Sequence, residues 1–423
     1  MTTSPPTPRS LADWLAYQEQ VHPRSIELGL ERVRAVALRL GLLPPQAATL
    51  TVGGTNGKGS SATLAAEIYR HAGYRVGLYR SPHLLEYNER VAVDGVPVDD
   101  AALCDAFAAI EQARGEIPLT YFEFGTLAAL LAFRHAGAQV QVLEVGLGGR
   151  LDAVNIVDAD CSLITNIGLD HTDWLGPDRD SIGYEKGGIL RAGRPAVIGE
   201  ADPPARLLQH AQALGTVLLR SQRDYRYRIG ADGRWSWSGV REAYAHLPAP
   251  GLAGAVQYQN AAAVLAAIEA LQPLRPVALA ALAAALAGLR LRGRFETIGN
   301  TILDVAHNAE AAQVLAQNLR AAPVAGRTWL VLGMFADKPV EAVCAALAPL
   351  VAAAFFAALP PPRGLDAGEL RRRARNAGVD GRVCETVEGA YVEACAAAAA
   401  DDRIVVCGSF LTVAAVARMT ASR

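Results

Sequence analysis

The run Thr51-Val52-Gly53-Gly54-Thr55-Asn56-Gly57-Lys58-Gly59-Ser60 has residue types and spacing suited to holding phosphate. Small glycines let several backbone N–H groups converge on one phosphate chain, and a helix starting there adds favourable partial charge. Lys58 can neutralise phosphate oxygens. The spacing departs from the usual G-x-x-x-x-G-K-[ST] loop, because Gly59 separates the lysine from Ser60. Ser60 therefore cannot simply take that loop's metal-bound hydroxyl role. A glycine-rich turn with a solvated lysine is the competing reading, and the strand-then-helix pattern around the motif weighs against it. The motif indicates a nucleotide but no particular reaction. Glu144 ends an apolar run just before Val145-Gly146-Leu147-Gly148-Gly149, where a carboxylate could hold magnesium beside phosphates. Its alternatives are capping the strand or pairing with Arg150. Taken alone, His171 reads as a hydrogen-bonded structural histidine, and Lys186 as a lysine paired with Glu185 or a phosphate.

These residues need elements to position them. Thr49–Val52 is β-prone, Lys58–His71 has helical spacing, and Arg75–Tyr79 is β-prone again. The series continues through a helical Phe122–His135, a Gln139–Val145 run that alternates before becoming apolar, and a β-prone Cys161–Thr165. Such strand–helix–strand order predicts a mainly parallel sheet covered by helices, with ligands at the carboxyl ends of the strands. Asp224–Ser238 differs, because an Asp-Gly turn between alternating aromatic segments is a hairpin signal. Helical patterns return at Gln257–Leu271 and Val277–Leu289. A second alternating series has β-prone runs at Thr301–Val305, Trp329–Leu332, Ala353–Ala358 and Ile404–Cys407. The junction falls near residues 290–297. The expected class is α/β: a P-loop nucleotide-binding domain with a mainly parallel sheet over residues 1–293, then a smaller Rossmann-like C-terminal α/β domain over 294–423.

Composition narrows the function. The 423 residues suit two domains, and 40 basic against 42 acidic residues argue against a general grip on nucleic acid or anionic membrane. With 51% apolar and 19% charged residues the chain is not largely disordered. Six scattered cysteines form no CxxC pair or zinc spacing, which fits a reducing cytoplasm. The opening MTTSPPTPRS has no apolar leader segment. Val343–Leu359 is Ala-rich and broken by Pro349, so it reads as a buried helix and strand rather than a membrane span. The arginines at 371–373 and 375 read as a solvated helix face.

GGTNGKGS, SPHL at Ser81–Leu84 and LEVGLGGRLDAVN at Leu143–Asn155 occur in order. They are followed by ITNIGLDHTDWLG at Ile164–Gly176, EKGGI at Glu185–Ile189 and DVAHN at Asp304–Asn308. Together these resemble the folylpolyglutamate synthase/dihydrofolate synthase family of the Mur ligase superfamily, over nearly the whole chain. The resemblance implies an ATP- and Mg2+-dependent ligase that phosphorylates a carboxylate and lets the amine of L-glutamate displace the phosphate. It implies nucleotide contacts at Thr55, Asn56, Gly57, Lys58, Gly59, Ser60, Asn260, Arg294, Asp304 and His307, with metal ligands Ser81, Glu144 and His171. Lys58, His171 and Lys186 are the implied catalytic residues, and Lys186 matches the family's carbamylated lysine. Pterin contacts are implied at Ile26, Glu27 and Leu28, at Thr120, Tyr121, Phe122 and Glu123, and at Leu151, Asp152 and Ala153. The second domain is expected to close the nucleotide site. Ala309 stands where the family often has proline.

LTYFEFGT resembles the bacterial bifunctional form, which uses dihydropteroate as well as reduced folates. The expected protein is a cytoplasmic monomer, with no nucleic-acid or membrane partner. The alternatives are a folylpolyglutamate synthase without dihydropteroate activity, a Mur ligase acting on a UDP-linked cell-wall precursor, and a nucleotide-dependent regulator without turnover.

Overall fold

The computed structural model describes residues 10–24 and 26–421. The opening segment read as lacking an apolar leader lies, up to residue 9, outside them. The chain divides into two compact units. Of the described residues, the first comprises 10–24, 26–82, 87–251 and 258–289; the second comprises 83–86, 252–257 and 290–421.

In the first unit an eight-stranded sheet contains β1 (Ala48–Gly53), β2 (Val76–Tyr79), β3 (Val91–Val93), β4 (Val96–Pro97), β5 (Val140–Glu144), β6 (Cys161–Ile164), β7 (Pro195–Ile198) and β8 (Val217–Arg220). Their order is β4-β3-β2-β5-β1-β6-β7-β8, parallel except where β3 pairs with β2 and β4. β1 and β5 are buried at every position although they carry Thr49, Thr51, Gln141 and Glu144 among their apolar residues, and Gln141 Nε2 donates to Thr49 Oγ1 at 2.8 Å. A separate antiparallel sheet contains β9 (Arg226–Ile229), β10 (Trp235–Ser238) and β11 (Ala243–Leu247). Its first two strands form the hairpin expected around Asp232-Gly233. The third strand has no comparable turn signal and depends on pairing with β10. Trp235 and Trp237 are its buried anchors, and Trp237 donates to Ala262 O at 3.0 Å.

The second unit has a six-stranded sheet of β12 (Glu296–Ile298), β13 (Thr301–Leu303), β14 (Thr328–Leu332), β15 (Ala353–Ala357), β16 (Gly381–Cys384) and β17 (Arg403–Cys407). The order is β12-β13-β17-β14-β15-β16, with only β12 antiparallel to its neighbour. Helices Val340–Leu347 and Val387–Ala397 cover it, so the Ala-rich stretches are globular packing surfaces. No helix among the described residues is long and apolar enough to cross a membrane. The six cysteines are free thiols. On helix Ala367–Asn376 the arginines pair with Glu369, Glu341 and Asp380, as a solvated face would.

Candidate active site

β1 delivers the chain into the glycine loop, and helix Lys58–His71 leaves it. Gly57 is the N-cap, at φ 80°, and no side chain caps the helix. A side chain at 57 would have to adopt a left-handed backbone, and its Cβ would lie 2.7 Å from Asn260 Oδ1. The first-turn N–H groups have no acceptors within the helix, which is the arrangement that favours an anion. A buttress from the end of β6 fixes the loop. Thr55 N donates to Asn166 O (2.9 Å), Asn56 N to Asn166 Oδ1 (2.8 Å) and Thr165 Oγ1 to Asn56 O (2.6 Å). Lys58 Nζ donates to Gly54 O at 3.0 Å and Thr55 O at 3.1 Å, which keeps its ammonium over the loop.

Lys186 meets the same carbonyl from the opposite side of the sequence. It lies in the last turn of helix Arg179–Gly187, is buried, and donates to Gly54 O at 2.9 Å. Burial, with the Lys58 charge second, pulls its pKa down to about 7, while Asp170 and Asp152 oppose the shift. Glu185 is not its partner, because that carboxylate pairs with Arg150 at 2.8 Å. Engagement with Glu185 also removes Arg150 as an ion-pair partner for Glu144. Glu144 ends β5, is buried, and accepts from Ser81 N at 3.2 Å. Two of the three implied metal ligands therefore adjoin. His171 is exposed in the loop after β6 at φ 54°, and its N–H donates to Asp170 Oδ1 at 2.9 Å. Among the described residues no three His, Cys, Asp or Glu side chains gather as a metal cluster. A set of one hydroxyl, one carboxylate and one imidazole contains only two of those types. Its oxygen donors suit a hard divalent cation.

The implied pterin residues also have definite positions. Tyr121 and Phe122 open helix Tyr121–His135 and are half-buried, whereas Phe124 is a core residue. Tyr121 packs edge-on to Tyr87 at 5.7 Å, with the Arg90 guanidinium 5.4 Å from the Tyr121 ring centre. Phe122 lies 5.8 Å from Tyr79. It also approaches Gly146, where an added Cβ would lie 2.6 Å from Phe122 Cζ. Thr120 and Glu123 form a capping box, each side chain accepting from the other's N–H, at 3.3 and 2.7 Å. The other carboxylate oxygen of Glu123 is buried, and Arg32 Nη2 lies 3.3 Å from the group. Arg32 also holds Glu27 through its carboxylate and its carbonyl, both at 2.9 Å. Gly29 N reaches Leu151 O at 3.3 Å, which joins the Ile26–Leu28 segment to the third implied segment. Asp152 caps the short turn Ala153–Ile156 and accepts from Leu147 N and Val154 N. Burial pushes its pKa up to about 6, against those backbone N–H groups and Lys58.

In the second unit Asp304 follows β13 and accepts from Phe295 N and Ala306 N, each at 2.9 Å. Burial raises its pKa, and Arg294 is the chief opposing influence. The Arg294 guanidinium lies 5.4 Å from the Phe410 ring centre. His307 Nδ1 lies 2.9 Å from Val305 O, and its ring is 6.4 Å from Phe410.

Thr165, Asn166, Arg32 and Phe410 were not singled out from sequence. The first two lie inside the ITNIG motif and could have been found there. Phe410 lies in a similarly recognisable segment, VCGSFLTVA. Arg32 carries no local signal, because its partner Glu123 is distant in the chain.

Residues 52–268 match the Mur ligase middle domain, and residues 293–410 match the Mur ligase glutamate ligase domain. Over 99% of this chain and 98% of the relative, the sequence is 44% identical to the dihydrofolate synthase/folylpolyglutamate synthase of Escherichia coli K12. The Haemophilus influenzae protein of the same name is 38% identical over 96% of each chain. A solved structure of E. coli FolC in complex with DHPP and ADP superimposes with a TM-score of 0.94 at 43% identity, covering 99% of this chain and all of that one. A bifunctional folylpolyglutamate synthase/dihydrofolate synthase solved with Mn, AMPPNP and L-glutamate gives 0.91 at 43% identity, with the same coverage. The chain belongs to the dihydrofolate synthase/folylpolyglutamate synthase family of Mur ligases.

Proposed function

We propose that the chain is an ATP-dependent amide ligase that joins L-glutamate to dihydropteroate and extends reduced folates with further glutamates. A carboxylate is a poor electrophile because oxide would have to leave. Transfer of the γ-phosphoryl group to it makes an acyl phosphate; attack by the glutamate amine then forms the amide and releases phosphate. The protein's task is alignment and charge stabilisation. The observation that carries this reading is the convergence of Lys58 and buried Lys186 on Gly54 O, in a loop with an uncapped helix N-terminus.

In this reading the loop N–H groups and Lys58 bind the phosphates, with Asn260 beside the loop. Arg294, Asp304 and His307 are the second unit's proposed nucleotide contacts. Ser81, Glu144 and His171 would hold Mg2+, which when bound offsets phosphate charge. Tyr121 and Phe122 give the pterin flat apolar faces, while Asp152 and the Ile26–Leu28 segment supply the surrounding wall. Lys186 is the proposed carbamylation site. A pKa of about 7 leaves much of the amine neutral at physiological pH, so its nitrogen can attack CO2 and release a proton. The protein is proposed to act as a cytoplasmic monomer.

The test supplies purified protein, ATP, Mg2+ and glutamate with dihydropteroate, tetrahydrofolate or a UDP-muramoyl precursor. The first two should each gain a glutamyl unit, with ADP and phosphate released. Product from tetrahydrofolate alone would remove the dihydropteroate activity. Product from the UDP substrate alone would select the cell-wall reading, and nucleotide binding without product would reject ligase function. Lys58→Ala should lower kcat by roughly a hundred- to a thousandfold.

A further inference from the structure

The second unit's sheet has an end that the proposed nucleotide contacts do not use. Asp304 and His307 follow the carboxyl end of β13. The parallel strands β14, β15 and β17 begin at the opposite end, beside a cavity of about 400 Å³. Arg320, Arg327 and Arg403 line this cavity together with Thr328, Pro349 and Val351.

Arg403 is only 6% exposed. Its Nε donates to Thr328 Oγ1 at 3.0 Å, and its Nη1 to Leu319 O at 3.2 Å and Ala322 O at 2.6 Å. The last two bonds cap the end of helix Ala309–Ala321, an ordinary use for an arginine. Capping does not account for the rest. Nη2 makes no hydrogen bond among the described residues. No carboxylate oxygen among them lies within 4.0 Å of the guanidinium nitrogens of Arg403, Arg320 or Arg327. The neighbouring Asp402 carboxylate is occupied by the N–H groups of Arg327 and Ala399 and the Trp329 indole. A buried cation without a counter-ion is costly; Arg320 and Arg327, on the same cavity, are exposed, and the Asp402 carboxylate offsets part of the Arg327 charge. Helix-end carbonyls carry only partial charge and do not cancel the full charge of Arg403. Guanidinium forks match the oxygens of carboxylates and phosphates, and Pro349 and Val351 give the cavity an apolar wall.

We propose that this cavity is an anion site of the C-terminal unit, taking a small molecule that bears a carboxylate or a phosphate. The test is calorimetric titration of the full chain at constant ionic strength, with ADP saturating the nucleotide site so that the glycine loop does not compete. Inorganic phosphate and glutarate are the two probes. At least one should bind saturably at one site per chain, and Arg320→Gln/Arg327→Gln should weaken it by about tenfold or more, with ligase turnover unchanged. Phosphate binding alone would identify a phosphate-bearing ligand, and glutarate binding alone a carboxylate. Equal binding to wild type and double variant, or none to either, overturns the proposal. Arg403 is left in place because its removal would also uncap a helix.

Discussion

Burial gives Lys186 a titration unlike that of a surface lysine. Its folded pKa of about 7 lies below the ordinary 10.5, so between those values the unfolded chain holds a proton that the folded chain lacks. In bicarbonate-free buffer, where the amine is unmodified, this residue's contribution therefore makes stability rise with pH across that window. Lys186→Met should flatten the rise, measured as denaturant midpoints at a series of pH values. Glu123 supports a different expectation. Glu123→Gln can keep the capping box while removing the charge opposite Arg32. The dihydropteroate KM should rise about fivefold, equivalent to ~1 kcal/mol, with the ATP KM unchanged. Equal changes in both would assign Glu123 to general packing. At this scale motifs made most of the candidate site legible, because the glycine loop, Glu144 and Lys186 each sit in a dense local signature. What they did not convey was the role of Glu123. The resemblance gives it only as a pterin contact, whereas its carboxylate faces a cap and an arginine.

Helix Ala309–Ala321 shows how an element can be correct and still improvable. Asn308 caps it from an extended conformation (φ −132°, ψ 170°), accepting from Ala311 N. That backbone also suits a residue before proline, and Ala309 occupies the first helical position, where proline is favoured. Ala309→Pro should stabilise the protein by about 0.4–1 kcal/mol, read from chemical denaturation. A lower midpoint would mean that the loop needs the freedom alanine gives it. Elements with their own periodicity were legible in this way: helix Lys58–His71 matches its sequence pattern end to end, and the β-prone runs fall within a residue or two of the strands. β3, β4, β7, β8, β11, β12 and β16 were not, because strands this short are set by the partners they pair with rather than by their own residues.

At the scale of the molecule, composition and alternation indicated two α/β bodies but not how the chain is shared between them. Residues 83–86 and 252–257 belong to the second unit although the first unit surrounds them in sequence. Leu84 is buried in the core with Leu303, Val406 and Val413, and Arg418 Nη2 donates to Leu85 O at 3.2 Å. No composition shift marks so short an excursion. Leu84→Ala should lower the stability of the second unit by about 2–4 kcal/mol. Hydrogen exchange of the β13 and β17 amides should report it; unchanged protection there would mean that Leu84 adds little to this core. The same insertion bears on synthesis. When a ribosome has delivered only the first 289 residues, the emerging polypeptide must carry Leu84 and Leu85 without the core that later covers them. Chains halted at that point should be sticky and chaperone-dependent, and replacing the two leucines with serine should relieve this.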